Sequence, residues 1–167
     1  MNKFQVAVAG FAAMACAAPA FAAGSVTGNF QAQITITNTC ALTTAPTNLA
    51  FGSTGVLTGA VDAQSTVKVT CTTGASYNIG LDAGANESSA NDVTTRRMTD
   101  GASHYVNYSM FTTTGHNSVW GDSIGSNTVS SNGTGSEQSF TVYGRVPAQT
   151  TPQAGDYADT VVVTVTY

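Results

Sequence analysis

The 167-residue sequence is short of charge: Asp, Glu, Lys and Arg make up 8% of it, against roughly 25% in an ordinary soluble domain. Five basic residues face nine acidic ones, for a net charge of −4. The basic residues form no patch, which excludes binding to a nucleic-acid backbone. No stretch keeps helical periodicity over about ten residues, which excludes a helical bundle. Beyond the N-terminal region no apolar run approaches the roughly 18 residues of a membrane span. His104 and His116 are the whole histidine complement, and neither stands in a metal-ligand spacing, so no metal and no cofactor is expected. What the sequence does hold is Thr, Ser, Asn, Gln, 17 Gly and 42% hydrophobic residues. Thr and the other β-branched residues favour strands. Their abundance at low net charge argues against ordinary disorder.

The first segment reads as an address. Met1-Asn2-Lys3 is a short positive start, Phe4 to Ala18 is apolar and Ala-rich, and Ala20-Phe21-Ala22 is a small-x-small cleavage signature. Residues 1–22 are therefore expected to be a secretory signal peptide cut before Ala23. A rival reading is a lipoprotein site at Cys16, although the usual large aliphatic residue three positions earlier is missing. Cleavage after Ala22 leaves Cys40 and Cys71 as the cysteines of an exported chain. One disulfide is the expectation, with two reduced buried thiols as the competing reading.

Strand signals follow. In residues 25–37, Val26, Gly28, Phe30, Ala32, Ile34 and Ile36 share one parity and Ser, Thr, Asn and Gln the other. That is the period of a long strand with one buried face. Val67, Val69 and Cys71 alternate with Thr66, Lys68 and Thr70, and Cys40 keeps the parity of Ile34 and Ile36, so both cysteines are expected to point inward. Tyr77, Ile79 and Leu81 alternate next, then Val106, Tyr108 and Met110, then Phe140, Val142, Gly144 and Val146. The last group is Tyr157, Val161, Val163, Val165 and Tyr167. Residues 82–100 and 115–136 are rich in Gly, Ser and Asn and are expected as loops, with Trp120 as a packing anchor. Several short strands separated by turn signals predict a β-sandwich.

Catalytic patterns are thin. Gly121-Asp122-Ser123-Ile124-Gly125 matches G-x-S-x-G, but Ser126 to Ser136 cannot supply the helix a nucleophile elbow needs. Asp156 and Asp159 flank Tyr157 and are expected to cap a turn and bond at a strand entrance. Arg96-Arg97 is expected in a solvated loop or in a local carboxylate contact. No enzyme is expected.

The two ends of the chain are odd. The final strand, Val161 to Tyr167, is β-branched, uncharged and free of Pro, an aggregation-prone window. Such edges are normally blunted or covered, and nothing in the sequence follows it to do so. The N-terminal alternating segment has an apolar face and no evident partner. An unpartnered donor and an uncovered edge in one chain suggest strand donation between molecules.

Several motifs together carry a resemblance. They are Asn38-Thr39-Cys40, Leu49-Ala50-Phe51-Gly52, Val67-Lys68-Val69-Thr70-Cys71-Thr72 with Gly74 and Tyr77, and Leu81-Asp82-Ala83-Gly84. Arg96-Arg97-Met98, Trp120-Gly121-Asp122, Thr141-Val142-Tyr143-Gly144-Arg145 and Gly155-Asp156-Tyr157-Ala158-Asp159-Thr160-Val161 complete the set. With them the chain resembles the spore coat protein U domain family, the subunit domain of archaic (Csu-type) chaperone–usher pili. The resemblance implies an all-β fold, an incomplete immunoglobulin-like β-sandwich completed by a strand donated from a neighbouring subunit. It divides the chain into a signal peptide (1–22), an N-terminal donor strand (23–36) and the pilin domain (37–167).

On this reading the donor presents Val26, Gly28, Phe30, Ala32, Ile34 and Ile36, and the acceptor groove is bordered by Tyr157, Val161, Val163, Val165 and Tyr167. The implied partners are copies of the chain or sister pilins, a periplasmic chaperone, an outer-membrane usher and a tip adhesin. The implied destination is a cell-surface pilus reached through the periplasm, serving attachment and biofilm formation. A two-domain tip adhesin would need a further domain, so a shaft or minor subunit is expected. Two other readings stay open: a secreted spore or cell coat protein that uses no usher, and a soluble carbohydrate-binding sandwich.

Overall fold

The structure, a computed structural model, describes residues 23–167. The expected signal peptide, its cleavage after Ala22 and the alternative site at Cys16 lie, with residues 1–22, outside the described residues.

Nine strands and no helix are found among the described residues. They are β1 (Cys40–Thr44), β2 (Val61–Cys71), β3 (Ser76–Leu81), β4 (Arg97–Thr99), β5 (Tyr105–Asn107), β6 (Ser109–Phe111), β7 (Val129–Asn132), β8 (Glu137–Val146) and β9 (Val163–Thr166). The alternation of apolar residues is the cause. Every second residue of a strand faces the same side, and Val67, Val69 and Cys71 of β2 are buried to within 1% of full enclosure. Tyr77, Ile79 and Leu81 of β3 are equally enclosed, and Val142 and Val146 of β8 nearly so.

One sheet runs β1-β2-β8-β6 and the other β7-β3-β9, with β4-β5 as a separate two-stranded ribbon; every pairing is antiparallel. The two larger sheets contribute to one core, in which Val67, Val69, Met110, Val142 and Val146 meet Tyr77, Ile79 and Leu81. This is the sandwich expected from the alternation. Cys40 and Cys71 are directly opposed in the β1–β2 register and form a disulfide across 31 residues of sequence. Trp120 is 1% exposed and donates its indole N–H to the Ile79 carbonyl at 2.9 Å, an anchor as expected.

Four departures have physical reasons. The Val106–Met110 run is broken at Tyr108, because β5 pairs with β4 while β6 pairs with β8, so the chain changes sheets there. Strand β4 lies inside the expected 82–100 loop, fixed by pairing with β5 and by a bridge from Thr99 to Ala158. Strand β7 lies inside the expected 115–136 loop. Its pairing with β3 is supported by polar side chains, Ser76 to Asn132 and Ser130 to Asn78, both at 2.7 Å, which hydropathy alternation does not register. The last strand is four residues long and shorter than the expected Val161 to Tyr167, because only Val163–Thr166 finds a ladder on β3.

Residues 23–35 belong to a unit separate from Ile36–Tyr167 and contain no hydrogen-bonded strand. Among the described residues this face is not buried: Val26, Phe30 and Ile34 are 101%, 93% and 84% exposed. The period-two pattern is intact, but no described segment lends this stretch a ladder.

Candidate functional site: an open groove at the sandwich edge

Each main sheet has an edge strand on the same side of the core. In the second sheet β9 is bonded only to β3, and in the first β1 is bonded only to β2. Beside the β9 edge, and lined by no residue of β1, lies a groove of about 560 Å³. Residues 46–51 form one wall and 157–163 the other, and Val67, Leu81, Met98, Tyr108, Met110 and Val142 form the apolar floor. The core is therefore open along one seam.

The first wall is stapled to β2. Thr47 donates its amide to the Thr66 carbonyl, the Thr66 amide donates to the Thr47 hydroxyl at 3.0 Å, and the Ser65 hydroxyl donates to the Thr47 carbonyl. Leu49 lies against Gly144, where any Cβ would overlap its side chain. Phe51 meets Tyr108 edge to face, with ring centroids 6.2 Å apart.

The second wall uses its backbone on one side only. The carbonyls of Thr160 and Val162 accept from the amides of Ala85 and Asp82, and the Val162 amide donates to Asp82 Oδ1 at 2.9 Å. Backbone groups of successive strand residues point to alternate sides in the sheet plane. The even-numbered residues thus bond inward to their own sheet. Those of Val161, Val163 and Val165 face the open seam, an edge ready for a ladder.

Polar groups set this wall. The Asp159 carboxylate accepts from the Tyr108 hydroxyl at 2.8 Å, the Asn86 amide at 2.9 Å, the Ala85 N–H at 3.0 Å and the Thr160 N–H at 2.9 Å. Burial, with the hydrogen bond to Asp159, pushes the Tyr108 phenol far above its usual range, so it stays a donor. Arg96 is 1% exposed and donates to the carbonyls of Leu81 and Asp82. Burial lowers its pKa, opposed by Tyr108 and by the carboxylates of Asp82, Asp122 and Asp159. This corrects the expectation of a solvated Arg96 or a direct carboxylate contact: the guanidinium is inside, bonded to main chain. Arg97 is the outer member of the pair, 3.8 Å over the Tyr105 ring and donating to the Asn86 carbonyl at 2.6 Å.

Of the expected groove residues, Tyr157, Val161 and Val163 line the groove. Val165 packs against the core, and Tyr167 is 60% exposed. Gly28, Ala32 and the large apolar residues of 25–36 are exposed. Asp159 bonds at the strand entrance as expected. Ser123 sits in a turn closed by Ser126 and Asn127, and no described hydrogen bond joins it to a histidine. His104 contacts Asp100 at 2.6 Å, and His116 packs edge-on to Phe111. Among the described residues there is no cluster of three or more metal-ligating side chains, and no helix is long and apolar enough to cross a membrane. The residues that sequence reasoning missed are Arg96 and Tyr108. The available signal was their company: the Asp82, Arg96 and Asp159 motifs, far apart in sequence, meet here.

Comparison with known proteins follows this geometry. The family model for the Spore Coat Protein U domain matches residues 26–164. No curated protein matches. Among solved structures, the chain is similar to one in the crystal structure of a chaperone–tip adhesion subunit pre-assembly complex, CsuC–CsuE, from the archaic chaperone–usher Csu pili of Acinetobacter baumannii. The identity is 26% and the TM-score 0.57, over 80% of this chain and 40% of that one. The chain thus spans less than half the length of the structure it matches.

Proposed function

The chain belongs to the Spore Coat Protein U domain family, and from that membership and the open groove we propose that it is a structural subunit of an archaic chaperone–usher pilus, joined to its neighbours by strand donation. The observation that carries the reading is the coexistence of two complementary defects. Among the described residues the core is open at a groove beside β9, and residues 25–36 carry an alternating apolar face that is exposed. Each large apolar side chain moved from water into a core contributes roughly 1.5–3 kcal/mol. Phe30, Ile34 and Ile36 together contribute on the order of 5–9 kcal/mol before ordering costs, with ladder hydrogen bonds added.

In this account residues 1–22 are removed on export, 23–36 are the donor and 37–167 the acceptor domain. A periplasmic chaperone covers the groove first, and at the outer-membrane usher the donor of the next copy or sister pilin replaces it. The chain is a shaft or minor subunit behind a tip adhesin, works without catalysis, and serves surface attachment and biofilm formation. The similarity to a subunit from a chaperone complex supports this order of partners.

Electron microscopy of the producing cell's outer surface, with an antibody to the chain, tests the proposal. The antibody is expected to decorate thin filaments that disappear when residues 23–34 are deleted. An amorphous layer that survives the deletion would favour a coat protein instead.

A further inference from the structure

We propose that Tyr108, Asp159 and Arg96 form a polar clasp that holds residues 158–162 extended before any donor strand arrives, and so act as positioning residues for strand acceptance. The inference rests on the donor-strand reading and adds to it which residues keep half of the acceptor edge ready.

The acceptor edge is held in two different ways. Val163–Thr166 has a regular ladder on β3. Residues 158–161 line the groove wall, and 158–162 belong to no strand. Their anchors are Thr99 to Ala158, Ala85 to Thr160 and Asp82 to Val162, and two of the three come from the loop after β3. Side chains fix that loop. Arg96 reaches across it and donates to the Leu81 and Asp82 carbonyls. Asp159 accepts from Ala85 and Asn86 on the loop side and from Tyr108 on the groove floor. Gly84, at φ +82°, allows the carboxylate to come this close, because a Cβ there would overlap it.

A segment whose main-chain bonds run to a loop that side chains fix loses its extended form when those side chains go. A ligand that needs the extended form then binds more weakly, in proportion to the fraction of molecules still adopting it. Four donors converge on Asp159, an investment out of scale with a surface turn. The groups that face the seam, those of Val161 and Val163, are left free.

The test uses the full chain and a synthetic peptide of residues 23–36. Peptide affinity and amide exchange at 158–162 are measured for the wild type and for Tyr108→Phe, which keeps the ring and removes one donor. Asn86→Ala, at a more exposed position, serves as a second variant with a smaller packing change. Tyr108→Phe is expected to weaken peptide binding roughly tenfold, the effect of losing one hydrogen bond to a charged group. Exchange at 158–162 should quicken in both variants, while exchange in β2 and β8 stays at the wild-type rate. Wild-type affinity and wild-type exchange at 158–162 in both variants would overturn the clasp. If the wild-type chain binds the peptide and its Phe30→Asp version alike, the donor-strand reading fails instead, and the exchange rates still decide whether the clasp exists.

Discussion

At the residue scale, Gly133 is packed closely against main chain. Its amide donates to the Ala75 carbonyl and its own carbonyl accepts from Gly74, so its backbone is fixed on both sides. A Cβ would overlap the Thr72 carbonyl oxygen and stand 2.8 Å from Cys71 Cβ. Gly133→Ala is therefore expected to destabilise the domain by about 1–3 kcal/mol, read from denaturant unfolding. Next to it, the Cys40–Cys71 bridge closes a loop across 31 residues. The chain-entropy account gives such a bridge ~3–4 kcal/mol. Cys71→Ser should lose about that much, and intact mass of the folded wild type should show no free thiol. The bridge was legible in the sequence, because two cysteines of inward parity behind an expected signal peptide leave few alternatives. Arg96 was not. Pattern reading takes an Arg-Arg pair as surface, since a charge is buried only where acceptors surround it, and its acceptors are main-chain carbonyls of residues 81 and 82. Main-chain acceptors carry no sequence signature.

At the scale of elements, strands with an apolar face were legible and strands without one were not. Strands β2, β3 and β8 follow from alternating Val, Ile, Leu and Tyr. Strands β4 and β7 are short and polar and exist because a neighbour offers a ladder, which is tertiary information. The final strand was expected too long for the same reason: apolar alternation starts at Val161, but the ladder begins at Val163. The N-terminal segment shows the reverse case, a strong pattern with no ladder among the described residues. Its parity makes a prediction. A charge introduced on the apolar face must be desolvated without a counter-charge when the segment enters a groove, at a cost of several kcal/mol. A charge on the polar face stays in water. Phe30→Asp and Ile34→Asp should abolish filaments while the subunit still accumulates with its chaperone. Gln31→Asp and Gln33→Asp should assemble as the wild type does. Equal damage from both parities, seen by negative-stain microscopy, would contradict donation by this segment, since a one-residue shift exchanges the two faces.

At the scale of the whole molecule, low charge makes the few resolved ionic contacts easy to follow. Hydrogen bonds hold four carboxyls below the usual range: Asp62 with Arg145, Asp92 with Thr94, Asp100 with His104, and Glu137 with Lys68. A folded-state pKa lowered in this way adds stability above the unfolded value, and the contribution is lost as pH falls through the folded one. All four are surface groups, so the effect is modest. The unfolding midpoint should stay flat from neutral pH down to the ordinary carboxylate range and drop below it. The larger question is what closes the groove whose floor is Val67, Leu81, Met98, Tyr108, Met110 and Val142. The most direct measurement is a cryo-electron-microscopy reconstruction of filaments taken from the cell surface, with the chain traced through the groove between residues 46–51 and 157–163. The account predicts residues 25–36 of a neighbouring copy there, with Phe30, Ile34 and Ile36 turned to the floor. A groove left empty, or filled by the N-terminal segment of the same copy, would contradict it.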